Sequence, residues 1–253
     1  MTDDAVARRA LAHLDLTSLN DDDDDAAAAA LCRRALGPAG RPAAVCVWPR
    51  FVPLCRDLLA DSGVRIACVT NFPAGAPDVA AAVDETRKAV ALGADEVDVV
   101  LPYTAWLADE RQVAVDLVAA CREACGDAAL LKVILETGRL ATPDNIRAAS
   151  EDAITGGADF IKTSTGKIDV SATPEAAEAM LQAIKSADRP VGLKVAGGIR
   201  TVADAGAYMA QADNSMGPDW VTPSTFRIGA SGLLNDIAKT LGVDEDAPTG
   251  STY

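Results

Sequence analysis

The chain has 253 residues and a formal net charge of −14 at pH 7, with an isoelectric point near 4.4. So acidic a surface repels phosphate backbones and anionic membranes, which argues against a nucleic-acid or membrane-surface binder. Apolar residues make up 49% of the chain, enough for a sizeable core without disulfides, and the length suits a single (β/α)8 barrel of roughly 250 residues.

The acidity includes an unbroken run from Asp21 to Asp25. The run reads as a solvated turn that opens a helix, where Asp complements the helix dipole. The whole-chain excess reads as the mark of an acidic, high-salt proteome. None of the six cysteines (Cys32, Cys46, Cys55, Cys68, Cys121, Cys125) forms a CxxC pair. Cys121 and Cys125 share a helix face and read as buried thiols. Met1–Ala10 lacks the apolar stretch of a signal peptide, and no apolar run reaches the roughly 20 residues of a membrane span. A cytoplasmic protein with reduced thiols is expected. His13 is the single histidine. A three-His metal site is therefore excluded, and a Ser-His-Asp triad is disfavoured. Acid–base chemistry falls to Lys, Asp, Glu, Tyr or Cys.

In chain order, residues 1–40 read as one or two helices covering the barrel. Short apolar runs then predict strands at Ala43–Trp48, Arg65–Thr70, Glu96–Leu101, Leu130–Glu136, Asp159–Thr163, Val191–Ala196, Trp220–Thr222 and Phe226–Ile228. Several are almost wholly apolar, as parallel strands covered on both sides should be. Amphipathic stretches predict helices at Pro77–Leu92, Glu110–Cys125, Pro143–Thr155, Pro174–Ala187 and Val202–Asp213. Thr142 and Thr173 stand as N-caps before prolines, and Gly93 and Gly156 as helix closers. Gly-Ala-Asp recurs at Gly93–Asp95 and Gly157–Asp159, a faint echo of repeated β/α units. Eight strands alternating with helices make an α/β TIM barrel. The competing doubly wound sheet lacks a GxGxxG after its first strand. No linker divides the chain, and the Asp-, Gly-, Ser- and Thr-rich tail, 243–253, is expected to be mobile.

Charges inside apolar strands need a partner or a purpose. Lys132, Lys162 and Lys194 stand out, with Asp98 and Glu136 in similar settings. Alternation places Lys132, Ile134 and Glu136 on one face, and Glu96, Asp98 and Val100 on another. Lys132 and Glu136 also fit a structural ion-pair network. Lys162 and Lys194 lie at strand ends, each leading into a glycine-containing loop. One loop is Thr163–Lys167, the next Ala196–Arg200, and a third, Gly229–Gly232, opens a helix. Such loops present backbone N–H groups to an anion, and barrels commonly bind phosphate with their last loops. A lysine nucleophile must be neutral, and a neighbouring ammonium favours that state. Lys162 and Lys194 on adjacent strands could serve as such a pair. Asp98 would be an acid–base group. The residues themselves do not say which lysine is which.

With Cys46-Val47-Trp48-Pro49-Arg50-Phe51, Val69-Thr70-Asn71-Phe72-Pro73, Gly93–Val100, Lys132–Gly138, Phe160–Gly166 and Lys194–Arg200, the chain resembles the 2-deoxyribose-5-phosphate aldolases. The likeness runs from Leu14-Asp15-Leu16-Thr17 to Ser251-Thr252-Tyr253. It implies a Schiff base on Lys162, proton transfer by Lys194 and Asp98, and phosphate binding by Gly166, Lys167, Gly197, Gly198, Gly229 and Ser231. Asp15, Cys46, Thr165 and Tyr253 are implied as auxiliary residues. The implied reaction is reversible cleavage of 2-deoxyribose 5-phosphate to glyceraldehyde 3-phosphate and acetaldehyde. The resemblance implies no metal or organic cofactor, small-molecule partners and a homo-oligomer, with a dimer favoured. Val195 and Gly232 depart from the family's usual Pro and Ser. Two other readings are another imine-forming enzyme, such as a transaldolase or a keto-deoxy-sugar aldolase, and a non-catalytic phosphosugar-binding protein.

Overall fold

Strands such as Leu130–Ile134 and Gly192–Ala196 are buried along nearly their whole length. Side chains of one parity, among them Leu131, Val133, Leu193 and Val195, join the large apolar cluster shared with the helices. The other parity points into the barrel. A segment apolar on both faces is stable only between two layers, which is what a barrel wall provides. The computed structural model describes residues 2–243, in which eight parallel strands close in chain order. They are β1 (Leu14–Thr17), β2 (Ala44–Val47), β3 (Arg65–Thr70), β4 (Glu96–Val100), β5 (Leu130–Ile134), β6 (Phe160–Lys162), β7 (Gly192–Ala196) and β8 (Phe226–Ala230). The TIM barrel expected from the pattern is the observed fold.

Two strand assignments change. The segment 1–40 contains β1, which pairs with both β2 and β8 and so closes the barrel. At four residues and with Asp15 in its middle, it carries too little apolar signal to be read as a strand. Trp220–Thr222 is not a strand but part of the loop leading into β8. A tight set of hydrogen bonds among Trp220, Thr222 and Thr225 shapes it.

The helices are α1 (Asp3–Ala12), α2 (Asp25–Ala35), α3 (Val52–Leu58), α4 (Val79–Ala91), α5 (Tyr103–Leu107), α6 (Arg111–Cys125), α7 (Thr137–Leu140), α8 (Pro143–Thr155), α9 (Pro174–Lys185), α10 (Val202–Met216) and α11 (Leu233–Thr240). Thr142 and Thr173 cap α8 and α9 as expected, each accepting a backbone N–H with its side chain. Asp24 does the same for α2, so the acidic run does open a helix. Gly156 caps α8 in a helical conformation. The following Gly157 takes the left-handed φ of 102°. The six cysteines are buried and unpaired. Among the described residues, no helix is long and apolar enough to cross a membrane. The tail expectation, beyond Val243, and Tyr253 fall outside the described residues.

The barrel interior is divided. Ala44, Cys46, Ala67 and Val69 of β2 and β3 form a small apolar cluster with Leu19. The opposite wall carries charge, and the Phe160 ring fills part of its floor. That ring fits because position 192 has no side chain: a Cβ there would meet Phe160 Cε1 at 2.2 Å. Gly192→Ala should therefore cost stability by overpacking, toward the upper end of about 1–3 kcal/mol. Urea denaturation of the two proteins measures it, and an unchanged midpoint would contradict the packing described.

Candidate active site

The inward faces of β1, β4, β5, β6, β7 and β8 bring seven charged groups together. Asp98 of β4 is the hub. Its Oδ1 accepts from Lys132 Nζ at 2.8 Å. Its Oδ2 accepts from Lys162 Nζ at 2.9 Å and from Lys194 Nζ at 2.8 Å. Strand register explains the meeting, because Asp98 lies opposite Lys132 and Lys162 opposite Lys194. Lys194 also pairs with Asp15 Oδ2 at 2.5 Å. Lys132 also pairs with Glu96 Oε2 at 2.5 Å. Arg227 of β8 closes the lower end, bonding Asp15 Oδ1 at 2.7 Å and both oxygens of Glu96.

Burial alone would push the Asp98 carboxyl up. The ammonium groups of Lys132, Lys162 and Lys194 outweigh it and hold that carboxyl well below the usual carboxylate range. Asp15 is likewise lowered, by Lys194, Arg227 and Lys132 against its burial. Burial favours a neutral Lys194, yet Asp15 and Asp98 outweigh it, so its pKa is raised and it stays an ammonium. The same contest raises Lys132, through Asp98 and Glu96. The cluster holds four buried cations (Lys132, Lys162, Lys194, Arg227) against three carboxylates (Asp15, Glu96, Asp98), and the exposed Arg65 approaches Glu96 from outside at 3.9 Å.

Above the cluster lies a cavity of about 570 Å³, within the usual range for small-molecule sites. Lys162 lines it; Asp98, Lys132 and Lys194 do not. The expected rim residues Thr165, Gly166, Lys167, Gly197, Gly198, Gly229 and Ser231 all line it, with Arg200 and Gly232. Gly197 has φ 89°, and a Cβ there would meet Ser171 Cβ at 2.4 Å. No other residue fits this close approach. Gly229 sits within β8, where a Cβ would meet Lys194 Cε at 3.1 Å. Its bareness makes room for that lysine as well as exposing backbone to the cavity.

Sequence reading missed several members. Thr17, at the end of β1, and Ser18, Leu19 and Asn20, which follow it, line the cavity. The alternation Leu14-Asp15-Leu16-Thr17 was the available signal. Arg227 in Phe226-Arg227-Ile228 is a charge in an apolar strand, a signal of the same kind as the lysines. Asp15 is no peripheral auxiliary but the second counter-ion of Lys194. Cys46 faces the apolar side of the barrel, buried, and burial pushes its thiol up. It therefore stays a thiol at neutral pH. His13 follows α1, its Nδ1 2.7 Å from the Arg9 carbonyl oxygen and its ring edge-on to Phe226.

The grouping of Lys132 with Glu136 does not hold. Lys132 belongs to the ion-pair network, but Glu136 follows β5 with a left-handed φ of 56°. That backbone breaks the alternation and turns the side chain toward the next loop. There it accepts from Thr165 Oγ1 at 2.5 Å and from Thr165 N at 3.3 Å. Thr165 Oγ1 in turn accepts from Lys167 N at 3.0 Å. A left-handed glutamate is costly, and here it anchors the loop that carries Gly166 and Lys167.

A closed barrel with amines at the mouth and a glycine-rich rim above them defines an aldolase-type barrel enzyme. The model of the DeoC/LacD family aldolases matches residues 9–239, and the chain belongs to that family. It is similar to an apo structure of a candidate deoxyribose-phosphate aldolase from Toxoplasma gondii ME49, with 27% identity, a TM-score of 0.86, and 95% and 98% of the two chains covered. A candidate deoxyribose-phosphate aldolase from Coccidioides immitis matches with 29% identity and a TM-score of 0.80, covering 91% and 86%. The tetrameric deoxyribose phosphate aldolase from Aeropyrum pernix shares the fold at 23% identity and a TM-score of 0.74, covering 95% and 92%.

The network's pH dependence has a definite sign. Carboxylates with lowered pKa stabilise above about pH 4, and this is lost as pH falls through their folded values. Lysines with raised pKa stabilise below about pH 10, and this is lost as pH climbs through theirs. Asp98→Asn should lose about 3–5 kcal/mol at pH 7, since it strands buried ammonium groups. The deficit relative to wild type should shrink below about pH 4. A urea-denaturation series across pH measures both, and a pH-independent deficit would be inconsistent with an ionised Asp98.

Proposed function

We propose that the protein cleaves 2-deoxyribose 5-phosphate reversibly to glyceraldehyde 3-phosphate and acetaldehyde through a Schiff base on Lys162. The observation that carries this reading is that Lys162 reaches the cavity while Lys194 and Lys132 are sealed beneath it. The amine that lines the cavity is the one placed to meet a substrate carbonyl and act as the nucleophile.

Lys162 Nζ adds to C1 of the open-chain sugar, and the carbinolamine loses water to form an iminium. A base takes the proton of the C3 hydroxyl. The C2–C3 bond then breaks, releasing glyceraldehyde 3-phosphate, and its electrons neutralise the iminium as an enamine. Protonation at C2 and hydrolysis free acetaldehyde and restore the amine. Asp98, which accepts from Lys162 Nζ at 2.9 Å, and Lys194, on the same carboxylate oxygen, relay the protons to and from Lys162. The phosphate lies at the glycine-rich rim, against Gly166, Lys167, Gly197, Gly198, Gly229 and Ser231. Unpaired cysteines fit a reducing, cytoplasmic setting. A homo-oligomer is part of this reading, and the A. pernix relative is tetrameric.

Acetaldehyde with borohydride should leave a covalent adduct on Lys162, found by peptide mapping. An adduct on another lysine, or none, would overturn the assignment. Lys162→Arg should abolish turnover with the circular-dichroism melt preserved. Lys194→Met should lower kcat by about 10²–10⁴-fold, the usual worth of a positioned proton-transfer group. Near-normal kcat in that variant would remove Lys194 from the mechanism.

A further inference from the structure

Lys167 has a partner already. Its Nζ donates to Asp21 Oδ1 at 3.1 Å, a contact spanning 146 positions of sequence. Asp21 begins the acidic run and is 91% exposed, whereas Lys167 is 31% exposed. The cationic residues lining the cavity, among those described, are Lys162, Lys167 and Arg200, and no carboxylate lines it. Asp21 is therefore an anion placed from outside on a cation of the rim.

The loop that presents Asp21 is anchored on several sides. Asp23 turns its carboxylate back to accept from Ser18 Oγ at 2.8 Å and from Asn20 N and Nδ2, both at 3.0 Å. Trp48 Nε1 donates to Asn20 O at 3.0 Å, and Arg50 Nη2 to Asp23 O at 2.9 Å. These bonds fix the chain on both sides of Asp21. On the other side, Glu136 and Thr165 fix the backbone of Lys167. The ion pair thus joins two held loops, which reduces the ordering cost that usually cancels an exposed pair.

We propose that Asp21 is a specificity-determining counter-ion that competes with the substrate's phosphate for Lys167. The inference rests on the phosphate end of the function proposed above. A phosphate at the rim must displace Asp21 from the ammonium or sit beside a like charge, and either lowers its affinity. An unphosphorylated 2-deoxy sugar meets a rim already neutralised and loses nothing. Asp21 therefore narrows the enzyme's preference for phosphorylated over neutral aldehydes. Gly232, at the mouth of the same cavity, offers no hydroxyl to offset that loss.

Calorimetric titration of the full-length protein with inorganic phosphate at constant ionic strength tests this. Asp21→Asn should tighten phosphate by about three- to tenfold. Asp22→Asn removes the same charge one position along, from a residue that does not pair with Lys167, and should stay within about twofold of wild type. In kinetics, Asp21→Asn should lower KM for 2-deoxyribose 5-phosphate by a similar factor, leaving kcat and the constants for 2-deoxyribose unchanged. Equal effects of the two substitutions would reduce Asp21 to general surface charge and overturn the proposal. An unchanged phosphate affinity in Asp21→Asn would overturn it too, as would a wild-type protein that binds no phosphate. That last result leaves trapping at Lys162 untouched. Tightened phosphate binding without any aldol cleavage would sink the proposed reaction and uphold the competition.

Discussion

A single carboxylate, that of Asp98, holds three ammonium groups inside a closed barrel. Three like charges drawn this close repel strongly in a medium poorer than water at screening them. Only a partner at the centre makes the arrangement tolerable. Asp98 does this with both oxygens, and Asp15 and Glu96 complete the compensation from below. The consequence is a graded set of lysines. Two are sealed in and held as ammonium groups, while the third, Lys162, lines the cavity.

The rest of the barrel serves that arrangement. Gly229 leaves space for the Lys194 chain, and Gly192 lets Phe160 fill the floor. Apolar residues on β2 and β3 line the facing wall, so little water reaches the charges from that side. Arg227 plugs the lower end through two carboxylates. Buried ion networks of this kind are a poor source of stability compared with apolar packing. Their value here is chemical, because they set which amines stay charged.

The rim follows a different logic. On so acidic a protein, cations and backbone donors gathered in one place form a local positive site. The loops after β6, β7 and β8 do so with glycines, Lys167 and Arg200. Glu136 accepts a strained backbone to hold the first of these loops. The acidic run reaches the same rim from the β1 side through Asp21. The acidic surface and the cationic rim therefore meet at one ion pair.

Most strands, several helix caps and the buried Lys132, Lys162, Lys194 and Asp98 that cluster in the barrel were legible in the sequence. Each rests on a local pattern: period-two alternation, Thr-Pro at helix starts, or a charge inside an apolar run. The likeness in motifs added roles that no spacing could supply. Barrel closure was decided only in three dimensions, because β1 is too short and too polar to announce itself and gains its stability from pairing with β8 at the far end of the chain. The same holds for Asp15 and Arg227, bonded across 212 positions, and for Asp21 on Lys167. The turn of Glu136 away from the barrel also escaped alternation, since one left-handed residue resets the direction of the side chain. Sequence could nominate the lysines. Their depth below the cavity, set by how eight strands stagger as they close, distinguished them.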